Sequence, residues 1–215
     1  DFARTLVQRN LFATGALDCL VNFIVGEGMT YTVATKDAAS TALVAVGQDV
    51  WDEFADRAIW SEWEQEIVRR TKRDGESFIR YFDLGGGYLD IRIVEPEWVK
   101  NGPGQPSRLD DGSELYWRHG IGFDAQDKQV PLAYWVEYPG EDGELVAASD
   151  VEHVKVNVDR NVPRGLSDFF STSEVLSGID KLLRNMRIGE STRAAITGFW
   201  SYEDATASQV QDHVD

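Results

Sequence analysis

Apolar residues recur at helical spacing through the first two dozen positions, and the run Gly26-Glu27-Gly28 ends that pattern. A second helical pattern covers residues 49–72, where charged residues alternate with apolar and aromatic ones before Asp74 and Gly75 close it. Between the two, residues 31–33 are aromatic or β-branched and predict a short strand. The first third of the chain is therefore predicted to be mainly helical.

After Gly75 the pattern changes to short β-branched or aromatic runs separated by turn signals. These runs predict strands over residues 77–82, 88–94, 115–117, 132–138 and 154–158. The stretch 101–112 contains several glycines and prolines and is predicted to be a surface loop. The fold class expected from the whole pattern is α+β, with N-terminal helices, a mainly antiparallel β-rich region and then one long helix.

The long helix is predicted to open at Ser173 and Glu174, and it carries two distinct sets of side chains. Apolar residues three and four positions apart form one stripe, a candidate packing face made of Leu176, Ile179, Leu183 and Met186. Its cations form a candidate subunit-interface or DNA-proximal face made of Lys181, Arg184, Arg187 and Arg193. The first three cations lie three residues apart and make a basic stripe on an otherwise acidic protein.

Two interpretations of this basic stripe remain open from the residues alone. It could face nucleic acid, but three spaced cations more often form a solvated face or pair with acidic groups of a neighbour. In a homo-oligomer, a basic helix face that meets an acidic face of the next subunit makes a head-to-tail contact that can close into a ring.

The overall charge argues against a protein that reads DNA sequence. Lys and Arg number 21 against 37 Asp and Glu, for a net charge of −16, so the surface repels phosphate. The chain contains no run of about 18 apolar residues, so no membrane span is predicted. The single cysteine, Cys19, lies in a helical pattern and is predicted to be a buried structural thiol.

No constellation for catalysis, metal binding or cofactor binding stands out. The Gly26-Glu27-Gly28 run follows a helix rather than a strand and lacks the context of a dinucleotide site. No phosphate-binding loop or serine elbow is present, and the three histidines are scattered. An acidic carbohydrate-active enzyme is the enzymatic alternative, on the strength of the carboxylates and five tryptophans: Trp60, Trp63, Trp98, Trp117 and Trp135.

An ordered set of motifs resembles the phage portal proteins of the lambda-like family. The set comprises Ile24-Val25-Gly26-Glu27-Gly28 after a helix, Gly75-Glu76-Ser77-Phe78 after a Trp-rich helix, Ile93-Val94-Glu95-Pro96, the Gly120-Ile121-Gly122-Phe123-Asp124 hairpin ending in Ala133-Tyr134, and the His153 strand followed by Val162-Pro163-Arg164-Gly165. No single motif is specific to this family, but the order of the motifs over residues 5–197 is specific to it. The chain departs from the family at residues 168–173, where the family has an apolar, proline-containing stretch.

This resemblance implies a non-enzymatic protein of a bacteriophage or prophage. Residues 1–165 would be the portal wing, 166–200 the first stem helix, and 201–215 the start of the clip or a disordered tail. Such a protein forms a homo-oligomeric ring, a dodecamer, at the capsid vertex of the virion after assembly in the host cytoplasm. Double-stranded DNA passes through without sequence-specific binding.

The partners implied are the terminase large subunit, the head-tail connector, and capsid and scaffold proteins, with no membrane and no cofactor. A non-conducting capsid or scaffold interaction module is the alternative from another functional class.

Overall fold

Four helices make up the N-terminal third of the protein, whose computed structural model describes residues 2–35 and 41–196. In chain order they are α1 (Phe2–Arg9), α2 (Leu11–Ile24), α3 (Thr41–Ala58) and α4 (Trp60–Asp74). Helix α4 packs against α1, α2 and α3. The helical character predicted for this region is confirmed, but each predicted helix is divided in two.

Local backbone chemistry explains both breaks. The side chain of Asn10 caps α2 by accepting hydrogen bonds from the backbone N–H groups of Phe12 and Ala13, at 3.0 and 3.1 Å. Ile59 separates α3 from α4 by adopting the left-handed conformation at φ 51° and ψ 55°, which β-branched residues rarely enter. Hydrophobic periodicity continues across both points, so it cannot reveal either break.

The prediction of a strand at residues 31–33 is wrong, because these residues form no strand. Gln48 of α3 bonds to the backbone there, accepting from the N–H of Val33 at 2.8 Å and donating to the carbonyl of Tyr31 at 3.3 Å. A side chain therefore satisfies groups that a neighbouring strand would otherwise have bonded.

Two antiparallel sheets follow the helices. The three-stranded sheet has the order β2-β1-β7, with β1 at Glu76–Gly85, β2 at Tyr88–Val94 and β7 at Val151–Lys155. The four-stranded sheet runs β3-β4-β5-β6, with β3 at Leu115–Arg118, β4 at Ile121–Asp124, β5 at Pro131–Val136 and β6 at Glu144–Ala147. The predicted α+β class with antiparallel sheets is confirmed.

Strands β4 and β6 were not expected from strand periodicity, because Gly122 and Asp124 in β4 and Glu144 and Ala147 in β6 are residue types that are depleted in strands. Strand β7 also begins three residues before the predicted strand at 154–158. The N–H of Val156 still bonds to the carbonyl of Gly75 in the register of the β1–β7 ladder, and the strand ends there because Asn157 turns the chain with φ 60°.

Both sheets contribute to one core. Phe78 and Val94 from the three-stranded sheet pack in the same cluster as Ile121, Tyr134 and Val136 from the four-stranded sheet. A backbone bridge between Val99 and Val136 links the β2–β3 connection to β5. The helical layer has its own buried line on α2, formed by Ala13, Leu17 and Val21.

Two glycines allow the segment after β7 to cross the start of β1. Gly75 ends α4 at φ 90°, and a Cβ there would lie 2.3 Å from the carbonyl carbon of Leu166. A Cβ on Gly165 would lie 1.9 Å from the carbonyl oxygen of Gly75. Only glycine fits either position, because the two backbones are in direct contact.

The long C-terminal helix, α5, spans Ser173–Ala195 and has 23 residues, which corresponds to roughly 35 Å of helix. The described residues up to Ser173 form one compact unit, and those from Glu174 onward form another. Residues 168–172 are turns, in which Phe169 is buried. The last positions of the range expected for the stem helix, and the whole tail expected at 201–215, lie outside the described residues.

Candidate assembly surface

The apolar stripe expected on α5 is exposed to solvent in the isolated chain. Ile179, Leu183 and Met186 are all exposed, and none of the residues of α5 is buried. Leu176 is half-buried. An amphipathic helix of this length gains its stability by packing its apolar face, so the stripe has the properties of a contact surface. The assignment of these four residues as a packing face stays a prediction.

The four cations of α5 do not share one face. At about 100° of rotation per residue, Lys181, Arg184 and Arg187 follow one another around one side of the helix, whereas Arg193 lies opposite Arg184. Arg184 donates to Asp180 at 2.8 Å, and Arg193 donates to Glu190 at 3.0 Å. Exposed pairs of this kind are worth little, so these local carboxylates hold the arginines only weakly.

Arg164 fixes the segment that precedes α5. Its guanidinium donates to the backbone carbonyls of Pro96 and Val99, both at 2.8 Å, and to that of His119 at 3.1 Å. It also bonds the carboxylate of Glu76, at the start of β1, through Nε at 2.7 Å. One side chain therefore ties the chain leading to α5 to three other segments of the fold.

Glu76 is the buried partner in this arrangement. Its carboxylate accepts the backbone N–H of Gly165 at 3.0 Å and lies 3.0 Å from Nε2 of His153, whose ring stacks on Phe78 at 4.0 Å. Burial by itself would raise the pKa of Glu76, but the hydrogen bonds from His153 and Arg164 and the charge of Arg164 outweigh it and lower the pKa below its usual value. The carboxylate is thus held ionised inside the fold.

A second charge cluster joins α1 and α4 to the end of β2. Arg4 donates to Asp74 at 2.9 Å and also pairs with Glu95, which pairs in turn with Arg70. Burial would raise the pKa of Asp74 and of Glu95, yet the arginines beside them lower both. These contacts hold the helical layer against the three-stranded sheet.

Sequence reasoning missed Glu76 and Arg164 as central residues. Both lie in motifs that carry the family resemblance, and that was the only signal for them. His153 has a packing and strand-pairing role, since it stacks on Phe78 and pairs in register with that residue.

Trp60, Trp98 and Trp117 do not share one platform for a sugar. Trp60 packs edge-on against Trp51 at 5.9 Å, whereas Trp98 packs on Tyr138 at 5.2 Å. The indole N–H of Trp117 donates to the carbonyl of Pro106 at 2.7 Å. These three rings serve separate packing sites, which weakens the aromatic argument for a carbohydrate-active enzyme.

Cys19 was expected to be buried, and that expectation is wrong. The thiol is exposed, because the buried line of α2 runs through Ala13, Leu17 and Val21 while Cys19 lies on the other side of the helix. Within residues 2–35 and 41–196, no group of three His, Cys, Asp or Glu side chains could hold a metal ion. In the same ranges, no helix combines the length and the apolar character that a membrane crossing requires.

An α+β unit followed by a long helix with exposed apolar and basic faces has the features of an assembly subunit. The family model described as "Phage portal protein, lambda family" matches residues 2–214, and the chain belongs to this family. The resemblance carried by the motifs is thereby confirmed. A search of the curated proteins found no match. Membership supports a phage portal role and places the chain in a family that is structural rather than enzymatic.

Proposed function

We propose that the chain is part of a subunit of a dodecameric ring at one vertex of a phage or prophage capsid. The ring is the conduit for double-stranded DNA during packaging and ejection. It also docks the terminase large subunit and, later, the head-tail connector. The observation that carries this proposal is the family match, which extends over residues 2–214 rather than over one motif.

The surface of α5 supports the ring. Its apolar residues are exposed in the single chain, and its basic stripe stands on a protein of net charge −16. In a ring, the stripe of Lys181, Arg184 and Arg187 meets carboxylates of the adjacent subunit. Contacts of this head-to-tail kind close into a ring when the rotation between subunits allows it.

The excess of acidic residues suits a conduit that does not bind its DNA tightly. A wall of net negative charge repels the phosphate backbone, so DNA meets no deep electrostatic well and few counterions are exchanged at each step. DNA therefore passes through without sequence-specific binding, and no cofactor or catalytic residue of this chain takes part.

The proposed location is the capsid vertex of the virion, reached after assembly with capsid and scaffold proteins in the host cytoplasm. Immunogold electron microscopy of intact virions and of precursor capsids, with antibodies raised against residues 1–173, tests this location. We expect label at a single vertex in both particles. Label spread over the whole shell, or present only on precursor capsids, would overturn the proposal and would favour the scaffold module.

A further inference from the structure

One side of α2 is an apolar stripe that no other part of residues 2–35 and 41–196 covers. Phe12, Ala16, Cys19 and Phe23 follow one another at spacings of four, three and four residues, so they lie in one line along the helix. All four are exposed, and Phe23 is 91% exposed. We call these four residues the α2 stripe. Because the opposite side of α2 is buried, this helix is apolar on two sides, which is typical of a helix covered from both directions.

A second uncovered apolar surface lies on α3 and the β1–β2 hairpin. It is an open groove of about 700 Å³ in which the principal apolar side chains are Val50, Phe54, Tyr88 and Leu89. Val50 is 62% exposed. Arg57 braces one wall, since its guanidinium lies 4.7 Å from the centre of the Tyr88 ring and donates to the carbonyl of Leu89 at 2.9 Å. We call this surface the α3 groove.

The two surfaces are separate parts of the same unit. Helix α4 meets α2 through Arg69, which bonds Asp18 at 2.7 Å, whereas it meets α3 at its first residue, where Trp60 packs on Trp51 and Phe54. The α2 stripe faces away from the buried line that packs inside this layer. One copy therefore cannot cover its own α2 stripe with its own α3 groove without rearranging the packed helices.

Charge limits the surfaces through which two copies can meet. Copies of a chain with net charge −16 repel one another, so an apolar contact between copies favours surface that carries few carboxylates. The α2 stripe contains none, and the only ionisable carboxylate of α2, Asp18, is already paired with Arg69. One carboxylate, Glu53, lines the α3 groove, and the cation Arg57 lines it as well. The stripe is thus surface through which two acidic copies can meet without adding repulsion at the point of contact.

We propose that the α2 stripe of one subunit packs into the α3 groove of the next, with Phe23 as the residue that enters the groove. This inference rests on the proposed ring function and names the surfaces that join its subunits. Two different, complementary apolar surfaces on one chain give a heterologous contact, which generates rings, whereas a single self-complementary patch gives closed dimers.

The exposed area fits the apolar centre of such a contact. The phenyl groups of Phe12 and Phe23, 46% and 91% exposed, present on the order of 250 Å². A stable interface buries about 800 Å² on each partner, with an apolar core and a polar rim. The stripe therefore supplies the core, and surrounding polar surface supplies the rim.

The test uses the full-length protein with one acid placed on each surface. Phe23→Asp disables the α2 stripe and Val50→Asp disables the α3 groove, whereas Val130→Asp places the same acid at an exposed position in the β4–β5 turn, away from both. We expect each of the first two variants to raise the concentration for half-maximal assembly at least tenfold and the third to leave it unchanged. Circular dichroism melting curves matching the wild type show that the variants fold.

A mixture of the first two variants tests whether the contact between subunits is head-to-tail. Phe23→Asp retains a working groove and Val50→Asp retains a working stripe, so the mixture forms one good contact and stops at a 1:1 heterodimer by native mass spectrometry. Rings formed by either variant alone, or a mixture that stays monomeric, would overturn the inference while leaving the proposed ring intact. A wild-type protein that stays monomeric under all assembly conditions would overturn both.

Discussion

Glu76 and Arg164 are 88 residues apart in the chain, yet Oε1 of the carboxylate lies 2.7 Å from Nε of the guanidinium and 2.6 Å from its Nη2. Glu76 opens β1, and Arg164 lies in the segment that leads to α5. Because Glu76 is buried and Arg164 also bonds three backbone carbonyls, this pair holds the segment that leads to the long helix against the start of β1.

Arg164→Ala should strongly destabilise the protein. The change leaves the carboxylate of Glu76 buried without its cation, which costs about 3–5 kcal/mol in comparable cases. Urea unfolding of the variant and the wild type measures the difference. Arg108→Ala is the matched control: it breaks an exposed pair with Glu114, for which we expect about 0–1 kcal/mol. Equal effects from the two substitutions would contradict the role assigned to Arg164.

Stability should fall as the solution is acidified. The pKa of Glu76 is lower in the folded protein than its ordinary value of 4.5, so its contribution is complete above that value and is lost as the pH falls through the lowered folded pKa. The pKa values of Asp74 and Glu95 are also lowered in the folded protein, so protonation of these two groups likewise reduces stability at low pH. Thermal unfolding between pH 7 and pH 3 should therefore show a falling Tm.

Glu76→Gln isolates the part of this acid dependence that belongs to Glu76. The variant should have a lower Tm at pH 7, because the charge opposite Arg164 is gone. Its Tm should also decrease less steeply between pH 5 and pH 3 than that of the wild type. An unchanged slope would show that Glu76 carries none of the effect.

Cys19 offers a direct probe of the α2 stripe. Its thiol is exposed in the single chain, so a maleimide should label it readily in dissociated subunits. If the stripe is covered in the assembled ring, labelling of Cys19 there should be at least tenfold slower, as measured by mass spectrometry of the tryptic peptide. Equal rates in the two states would place the stripe outside the interface.

Reversing charge on the basic stripe of α5 should weaken assembly. The double substitution Arg184→Glu and Arg187→Glu replaces two cations on the side that we expect to meet a neighbouring acidic surface. Its matched control, Arg193→Glu, lies on the opposite side of the helix from Arg184 and should have a smaller effect. The measurement is the ring fraction in negative-stain micrographs, and unchanged ring formation by the double variant would contradict the interface role.

The periodicity of the sequence predicted most elements, since amphipathic helices and alternating strands record which face is buried. It could not predict the break at Ile59, because that residue fits an apolar helix position and its left-handed backbone depends on the surrounding packing. It also misplaced Cys19, because α2 is apolar on two sides and the pattern does not tell which one the chain itself buries.

The cluster of Glu76, His153 and Arg164 could not be predicted from the sequence for a different reason. Nothing in the spacing of Glu76, His153 and Arg164 indicates that they meet, because their contact depends on the β1–β7 pairing and on the crossing at Gly75 and Gly165. The candidate stem residues, by contrast, lie on one helix, so their relative positions follow from the sequence alone.

Native mass spectrometry of the full-length protein tests the central claim most directly. The proposed function predicts a closed assembly of about a dozen subunits, seen as a ring with a central channel when the same sample is examined by negative-stain microscopy. A species that remains monomeric or dimeric at high concentration, and also in the presence of capsid and scaffold proteins, would contradict the portal-ring account.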